Sequence, residues 1–288
     1  MKVFVTGITG QLGYDVMREL EGRGFDAIGS SSSSLDITDR DAVEQILLEV
    51  KPDAVIHCAA WTAVDDAEEE ENIQRVYDVN AKGTENIAQT CKLLNCKMLY
   101  ISTDYIFNGK GTEPWNPDSE DYEPLSVYGK SKLEGELVVK RELEKFFIIR
   151  IAWVFGKNGK NFVRTMLNVG KKFDSLRVVN DQIGTPTYTK DLARLLVDMI
   201  QTDKYGSYHA TNEGGYISWY DFACEIFRQA KYSTQVFPVT TAEYGLTKAR
   251  RPENSRLDKS KLVEKGFNSL PDWKDALYRY LKELQEEE

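Results

Sequence analysis

Tyr128 and Lys132 stand four residues apart, and on a helix that spacing sets a phenol and an ammonium group on one face. A free phenol ionises near pH ~10, too high for easy proton exchange at neutrality. A neighbouring cation favours the phenolate and brings that value down, so the pair reads as proton-transfer machinery. The spacing recurs at Tyr244/Lys248 and Tyr278/Lys282, so it does not identify a site by itself. Tyr128 is set apart by Ser102-Thr103, a hydroxyl pair that ends an apolar run one element earlier, just before a long loop. Ligands of open α/β sheets bind outside the carboxyl ends of the strands, which puts Thr103 on the rim where such a ligand lies.

The N terminus indicates what these groups act on. Lys2 to Thr6 reads as a strand, Gly7, Gly10 and Gly13 follow at intervals of three, and a helix is expected from Gln11. Glycines let the backbone approach a pyrophosphate, and a helix N terminus offers amide donors and a partial positive charge. The spacing is tighter than the G-x-G-x-x-G fingerprint, and glycines also mark purely structural turns. Its place between a strand and a helix nevertheless predicts a dinucleotide. An acid about 20 residues beyond the turn usually marks NAD. Here that region is Gly29 followed by Ser30 to Ser34, with no acid before Asp36 and no adjacent arginine. NADPH is therefore the expected cofactor, with NADH also usable; the competing reading of the serines is a flexible loop.

The elements that position these residues alternate through the first half. Strands are predicted at Val3–Thr6, Asp26–Gly29, Ala54–Cys58, Lys97–Ser102 and Phe146–Ile151. Helices are predicted at Gln11–Arg23, Arg40–Val50 (capped by Asp39), Ile73–Leu94 and Ser126–Glu144. This is the pattern of an α/β fold, a doubly wound parallel sheet of Rossmann type, with a smaller, mostly C-terminal substrate domain. The expected division is 1–152 with 187–211 for the dinucleotide, and 153–186 with 212–288 for the substrate. In the second half helices are predicted over Asn161–Lys171, Thr189–Ile200, from a cap at Ser218 to Ala230, and from Asp272 onward; Tyr205–Thr211 is predicted to return to the main sheet. The stretch Asn108–Leu125 is expected to be a substrate-facing lid.

A formal net charge of −9 argues against nucleic acid or an anionic membrane surface as the partner. Much of the excess lies in Glu68–Glu71 and Glu286–Glu288, both expected to be solvated helix ends. No apolar run reaches membrane-spanning length, and the opening residues run straight into a strand, so neither leader nor span is expected and the location is expected to be cytoplasmic. Cys58, Cys91, Cys96 and Cys224 form no C-x-x-C pair and read as reduced thiols. With His57 and His209 the only histidines, there is little material for a Ser-His-Asp hydrolase or a multi-histidine metal site, and no metal is predicted. A homodimer is compatible with the sequence.

Together these residues resemble the extended short-chain dehydrogenase/reductase superfamily, and within it the dTDP-4-dehydrorhamnose reductase family, almost from end to end. The superfamily is carried by Thr6–Gly13, Cys58–Asp65, Ser102–Phe107 and Val127–Lys132; the reductase branch by Trp153–Gly156, Asn180–Thr187 and Arg251–Leu257. The resemblance implies that Gly10, Gln11 and Leu12 contact the cofactor pyrophosphate and that Asp36 and Ile37 contact the adenine. Ala60, Trp61 and Thr62 would line the path to the nicotinamide, and Asn80 would lie near the active site. Thr103 and Asp104 would meet the substrate, Tyr128 would donate the proton, and Lys132 would hold ribose and tune the tyrosine. Trp153, which after a buried strand would otherwise be core, would pack on the sugar. Ser30 stands where some relatives carry an acid.

Sugar 4,6-dehydratases of the superfamily place a glutamate after the Thr-Asp pair to eliminate water. Tyr105 stands there instead, which favours simple reduction of the 4-keto group of dTDP-4-dehydro-L-rhamnose. Arg256 could clamp a substrate diphosphate or form a surface ion pair. Two other readings stay open at this point: an NADP-binding regulatory subunit like that of methionine adenosyltransferase, and a reductase or epimerase of another nucleotide sugar.

Overall fold

A computed structural model describes residues 1–245 and 247–286, so Glu287 and Glu288 of the terminal acidic run lie outside the described residues. The first half runs β1 (Lys2–Thr6), α1 (Gln11–Gly22), β2 (Asp26–Ser30), α2 (Arg40–Val50), β3 (Ala54–His57), α3 (Glu70–Tyr77), α4 (Gly83–Leu94), β4 (Lys97–Thr103), α5 (Val127–Glu142) and β5 (Phe146–Ile151). The second begins β6 (Val154–Phe155), α6 (Phe162–Gly170), β7 (Ser175–Val179), β8 (Ile183–Gly184), β9 (Thr187–Tyr188), α7 (Thr189–Ile200) and β10 (Gly206–His209). It ends β11 (Asn212–Glu213), β12 (Ile217–Ser218), α8 (Trp219–Ala230), β13 (Gln235–Val239), α9 (Thr241–Tyr244), α10 (Ser260–Glu264), β14 (Leu270–Asp272) and α11 (Trp273–Gln285).

Six strands form one parallel sheet in the order β10-β5-β4-β3-β1-β2. Its central strands are near-continuous apolar runs because both faces are covered, as parallel sheets require. On one face Leu12, Val16 and Leu20 of α1 meet Leu192, Leu196 and Met199 of α7; on the other Val43, Ile87 and Val139 bring in α2, α4 and α5. A second core forms where Phe155, Tyr188, Phe222, Trp273 and Tyr280 pack together, joining α8 and α11 to the chain that leaves β5. Among the described residues no helix is long and apolar enough to cross a membrane.

Three local features depart from expectation. The helix predicted over Ile73–Leu94 begins earlier, at Glu70, and is interrupted by a π turn at Asp78–Lys82. That turn carries Asn80, whose side chain accepts from Trp61 N (2.8 Å) and donates to Ser131 Oγ (2.9 Å). Such turns concentrate at functional sites because they re-aim one side chain within a helix. Second, Glu68 is not simply solvated: its carboxylate accepts from Val127 N at 2.7 Å, at the start of α5, and thereby complements that helix N terminus, while Ser126 caps it at Gly129 N. Third, the Asn108–Leu125 segment is tied down. Trp115 stacks on Phe107 with ring centroids 4.5 Å apart, and Arg150 holds both the Pro117 carbonyl and the Tyr122 hydroxyl.

Candidate active site

The glycine turn is built by steric necessity. Gly7 has φ +72°, a conformation L side chains rarely adopt, and a Cβ there would come within 2.7 Å of Ala59 N. A Cβ on Gly13 would lie 2.3 Å from Gly7 O, so α1 can seat against the turn only with glycine. The helix that follows has neither a side-chain cap nor an acidic residue in its first turn. Its N-terminal amides are thus left for an anion, which is what a dinucleotide pyrophosphate requires.

This turn forms the middle of a cavity of about 500 Å³. At one end lie Ser30, Ser31, Ser32, Asp36, Ile37 and Arg75; at the other, Thr103, Asp104, Tyr105, Tyr128, Lys132 and Trp153. Gly7, Gly10, Gln11, Leu12, Gly13, Ala60 and Thr62 line the stretch between. Trp61 and Arg256 are not among the lining residues. Asn80 fixes the Trp61 backbone at both its N–H and C=O, and the indole donates to Ala63 O instead. Arg256 donates to Asn254 Oδ1 at 3.0 Å and lies over the Tyr216 ring. None of Asn108–Leu125 lines the cavity either. Of the two other Tyr/Lys pairs, Lys248 is engaged by Glu69 and Tyr278 is exposed on α11.

At the inner end the electrostatics are those of burial. Lys132 Nζ donates to Ile101 O at 2.7 Å and lies 4.1 Å from the centroid of the Tyr100 ring. Loss of solvent brings its pKa down to about 7, with the Glu136 carboxylate pulling it back up. The expected lowering of the Tyr128 phenol by this lysine is not what the geometry gives. Burial holds the phenol above its ordinary value, and a hydrogen bond with Thr103 only partly offsets that, so Tyr128 keeps its proton.

Asp104 is 1% exposed, and burial raises its pKa to about 6, while the hydroxyls of Ser255 and Thr103 draw it down. Its Oδ1 accepts from Thr103 Oγ1 at 3.1 Å, whereas Oδ2 has no hydrogen-bond partner among the described residues. Ser102 Oγ, also on the cavity wall, is in the same position. Orphaned buried polar atoms at a cavity wall are what a site for a polar ligand would leave when empty of one. Tyr105 packs edge-on to Tyr128 at 5.5 Å, and its hydroxyl is likewise pushed upward by burial. Trp153 holds φ +52° and stacks on Trp219 with centroids 3.8 Å apart. A non-glycine residue held in this region marks a position over-determined by its surroundings.

The histidines take no part. His57 is locked between Thr6 and Thr84 in the core, its pKa brought down to about 3 by burial, and His209 is buried beside Arg150. Two contributors escaped the sequence reading. Arg75 reaches the serine end of the cavity from α3, and Ser255 faces Asp104 while its neighbour Arg256 points elsewhere. Neither has a local signal, since their partners are remote in the chain.

An open parallel sheet whose glycine turn shares one cavity with a Thr-Tyr-Lys set at the same rim is the arrangement of the nicotinamide-dependent short-chain dehydrogenase/reductase class. Comparison with known proteins narrows this class. Residues 1–286 match the model of the RmlD substrate binding domain, and the chain belongs to that family. It is 39% identical to the spore coat polysaccharide biosynthesis protein SpsK of Bacillus subtilis, over 98% of this chain and 97% of that protein. It is 40% identical to a dTDP-4-dehydrorhamnose reductase of Aggregatibacter actinomycetemcomitans, over 96% and 97%. The crystal structure of a dTDP-4-dehydrorhamnose reductase from Bacillus anthracis in complex with NADP superposes with a TM-score of 0.93 at 40% identity, covering 98% of this chain and 100% of that one.

Proposed function

We propose that this chain reduces the 4-keto group of dTDP-4-dehydro-L-rhamnose to give dTDP-L-rhamnose, using NADPH, with NADH also accepted. The observation that carries the reading is the single cavity joining the Gly7–Gly13 cradle to Thr103, Asp104, Tyr128 and Lys132, in a chain so similar to reductases of this name. Bound along the cradle, the reduced nicotinamide supplies the hydride. The chain's own residues manage the oxygen. Thr103 donates a hydrogen bond to the substrate carbonyl, and Tyr128, protonated in its buried setting, gives its proton to the oxygen as negative charge gathers there.

Lys132, whose ammonium here donates to Ile101 O, would stabilise the phenolate that results and hold the cofactor's ribose. Asp104 Oδ2 accepts from a sugar hydroxyl, and Trp153 offers its indole to the sugar ring. Tyr105 stands where dehydration would need a carboxylate base, and a phenol whose pKa burial pushes above its ordinary value is a poor base at neutral pH. In this reading residues 1–152 with 187–211 bind the dinucleotide and 153–186 with 212–288 the nucleotide sugar. The enzyme works in the cytoplasm on a small-molecule nucleotide sugar.

The test follows oxidation of NADPH and NADH with dTDP-4-dehydro-L-rhamnose and identifies the sugar product by mass and NMR. Substrate-dependent oxidation giving the 4-hydroxy sugar supports the reading. A folded, cofactor-bound protein that oxidises neither would move the assignment to another nucleotide sugar or to a regulatory role.

A further inference from the structure

Tyr100 lies on β4, three positions before Thr103, and is not among the residues that line the cavity. Its fully buried side chain lies between β4 and α5. The hydroxyl donates to Lys132 O at 3.3 Å, and a Cβ on Gly135 would come within 2.3 Å of that hydroxyl oxygen. Helix α5 thus seats on this tyrosine, with glycine at the point of contact. The Lys132 ammonium lies over the Tyr100 ring, 4.1 Å from its centroid. Lys132 is 3% exposed, and burial disfavours an ammonium unless other groups hold the charge. An aromatic face does so through its negative quadrupole, most strongly where the cation is desolvated.

We propose that Tyr100 is a positioning residue for the reduction, its ring face keeping the Lys132 ammonium charged and in place. The inference rests on reading Lys132 as the partner of Tyr128 in a ketone reduction. Two consecutive residues of β4 hold the cation, Ile101 through its carbonyl at 2.7 Å and Tyr100 through its ring. The other groups facing this lysine offer less. Glu136, on α5, supports the ammonium, but Arg150 of β5 engages both of its carboxylate oxygens at 2.9 Å. His57 of β3 stacks on Tyr100 with centroids 5.8 Å apart and stays neutral, since burial takes its pKa down to about 3. Burial pushes the Cys58 thiol up to about 12, so it too carries no charge at neutrality. Tyr128 keeps its proton, and so does Tyr100, which burial holds well above the ordinary phenol value. Turnover needs the ammonium, so the rate falls as pH rises through the Lys132 value, about 7 with the ring in place. Weakening the ring contact disfavours the ammonium and moves that basic limb to lower pH.

The experiment replaces Tyr100 in the full chain by phenylalanine and by mono-, di- and trifluorinated phenylalanines, which keep the ring's shape while draining its negative face. The pH profile of kcat is measured for each with NADPH and dTDP-4-dehydro-L-rhamnose. In parallel the Lys132 ¹³Cε resonance is titrated in ¹³C-lysine-labelled protein, identified by its absence from Lys132→Arg. Tyr100→Phe should leave the limb nearly in place, because the ring remains. Successive fluorines should lower the limb and the carbon titration together, to a total of about one pH unit in the trifluorinated protein. Tyr100→Leu, which removes the ring, should lower both at least as far. A ring that merely fills space would give a flat series, because fluorination scarcely alters its shape. A flat series, or a fall confined to Tyr100→Leu, would overturn the proposal. A wild type that oxidises neither NADPH nor NADH overturns the reductase reading instead; the carbon titration, which needs no turnover, still decides whether the ring holds the ammonium.

Discussion

At the inner end of the cavity Asp104 is 1% and Lys132 3% exposed, while at the outer end Arg75 and Asp36 keep about half of their side chains in water. The same kinds of group, a carboxylate and a cation at each end, therefore behave differently. Inside, burial brings Asp104 up to about 6 and Lys132 down to about 7, so both change charge near neutrality. Outside, hydrogen bonds from Thr38 and then Arg75 lower Asp36, and water screens the pair. A group that must move a proton gains from a dry setting that perturbs it; a pair left half in water stays free to change partners.

The largest test of this contrast is Tyr128→Phe, which removes the proton donor and leaves the ring in place. Turnover should fall by about two to four orders of magnitude, the range of a lost general acid. NADP⁺ affinity, measured by titration, should stay within a few tenths of a kcal/mol because the cradle lies elsewhere. Parallel loss of turnover and cofactor binding would show that the two ends are not separable.

Gly13→Ala attacks the junction between them. The added methyl lies 2.3 Å from Gly7 O and 3.0 Å from Ile8 Cα, both backbone atoms that cannot step aside. Relief requires α1 to move away from the turn, costing about 1–3 kcal/mol of stability as overpacking generally does. Cofactor affinity should drop with it. Thermal unfolding and titration check the two halves, and undiminished binding would mean that the amides of α1 do not hold the pyrophosphate.

Asp104→Asn sharpens the dry end specifically. The folded pKa, about 6, lies above the ordinary 3.8, so between these values the folded chain keeps a proton that the unfolded chain has released. Stability from this group is thus whole below the lower value and is lost as pH rises through the upper one, by an amount on the order of 3 kcal/mol. The variant has nothing to titrate. The difference between their melting temperatures, taken at pH 4 and again at pH 7, should shift in favour of the variant at the higher pH. Parallel curves would mean that water reaches Asp104.

The same contrast explains which parts could be read from the chain. The strand, glycine turn and helix of the first residues, the Thr189–Ile200 helix and the Ser218 cap were legible because periodicity and capping are local. Tyr128 and Lys132 share a face as their spacing predicts, yet the ammonium goes to Ile101 O, a strand partner that spacing says nothing about. The π turn at Asp78–Lys82 was hidden because what Asn80 serves, Trp61 and Ser131, lies 19 and 51 positions away. Arg75 was missed for the same reason. Along the chain it is one more charged residue beside a glutamate run; only the packing of α3 carries it to Asp36.

The smallest expected effect concerns Arg256, for which diphosphate clamping was one expectation. Its backbone lies between two ties, Trp115 N to Arg256 O at 2.9 Å and Ser255 N to Ile183 O at 2.8 Å, which fix the segment as an extended strip. Along an extended strip neighbouring side chains point to opposite sides. Ser255 faces Asp104, so Arg256 faces away, onto Asn254 and Tyr216. Arg256→Ala should therefore change the KM for the nucleotide sugar by less than about threefold, the scale of a half-buried contact made away from the cavity. Ser255→Ala should do more, since it removes a hydroxyl that draws the Asp104 pKa down, and the acid side of the rate profile should move to higher pH. A tenfold rise in KM for Arg256→Ala, with the Ser255→Ala profile unmoved, would reverse the assignment and make the outward residue the one that meets substrate.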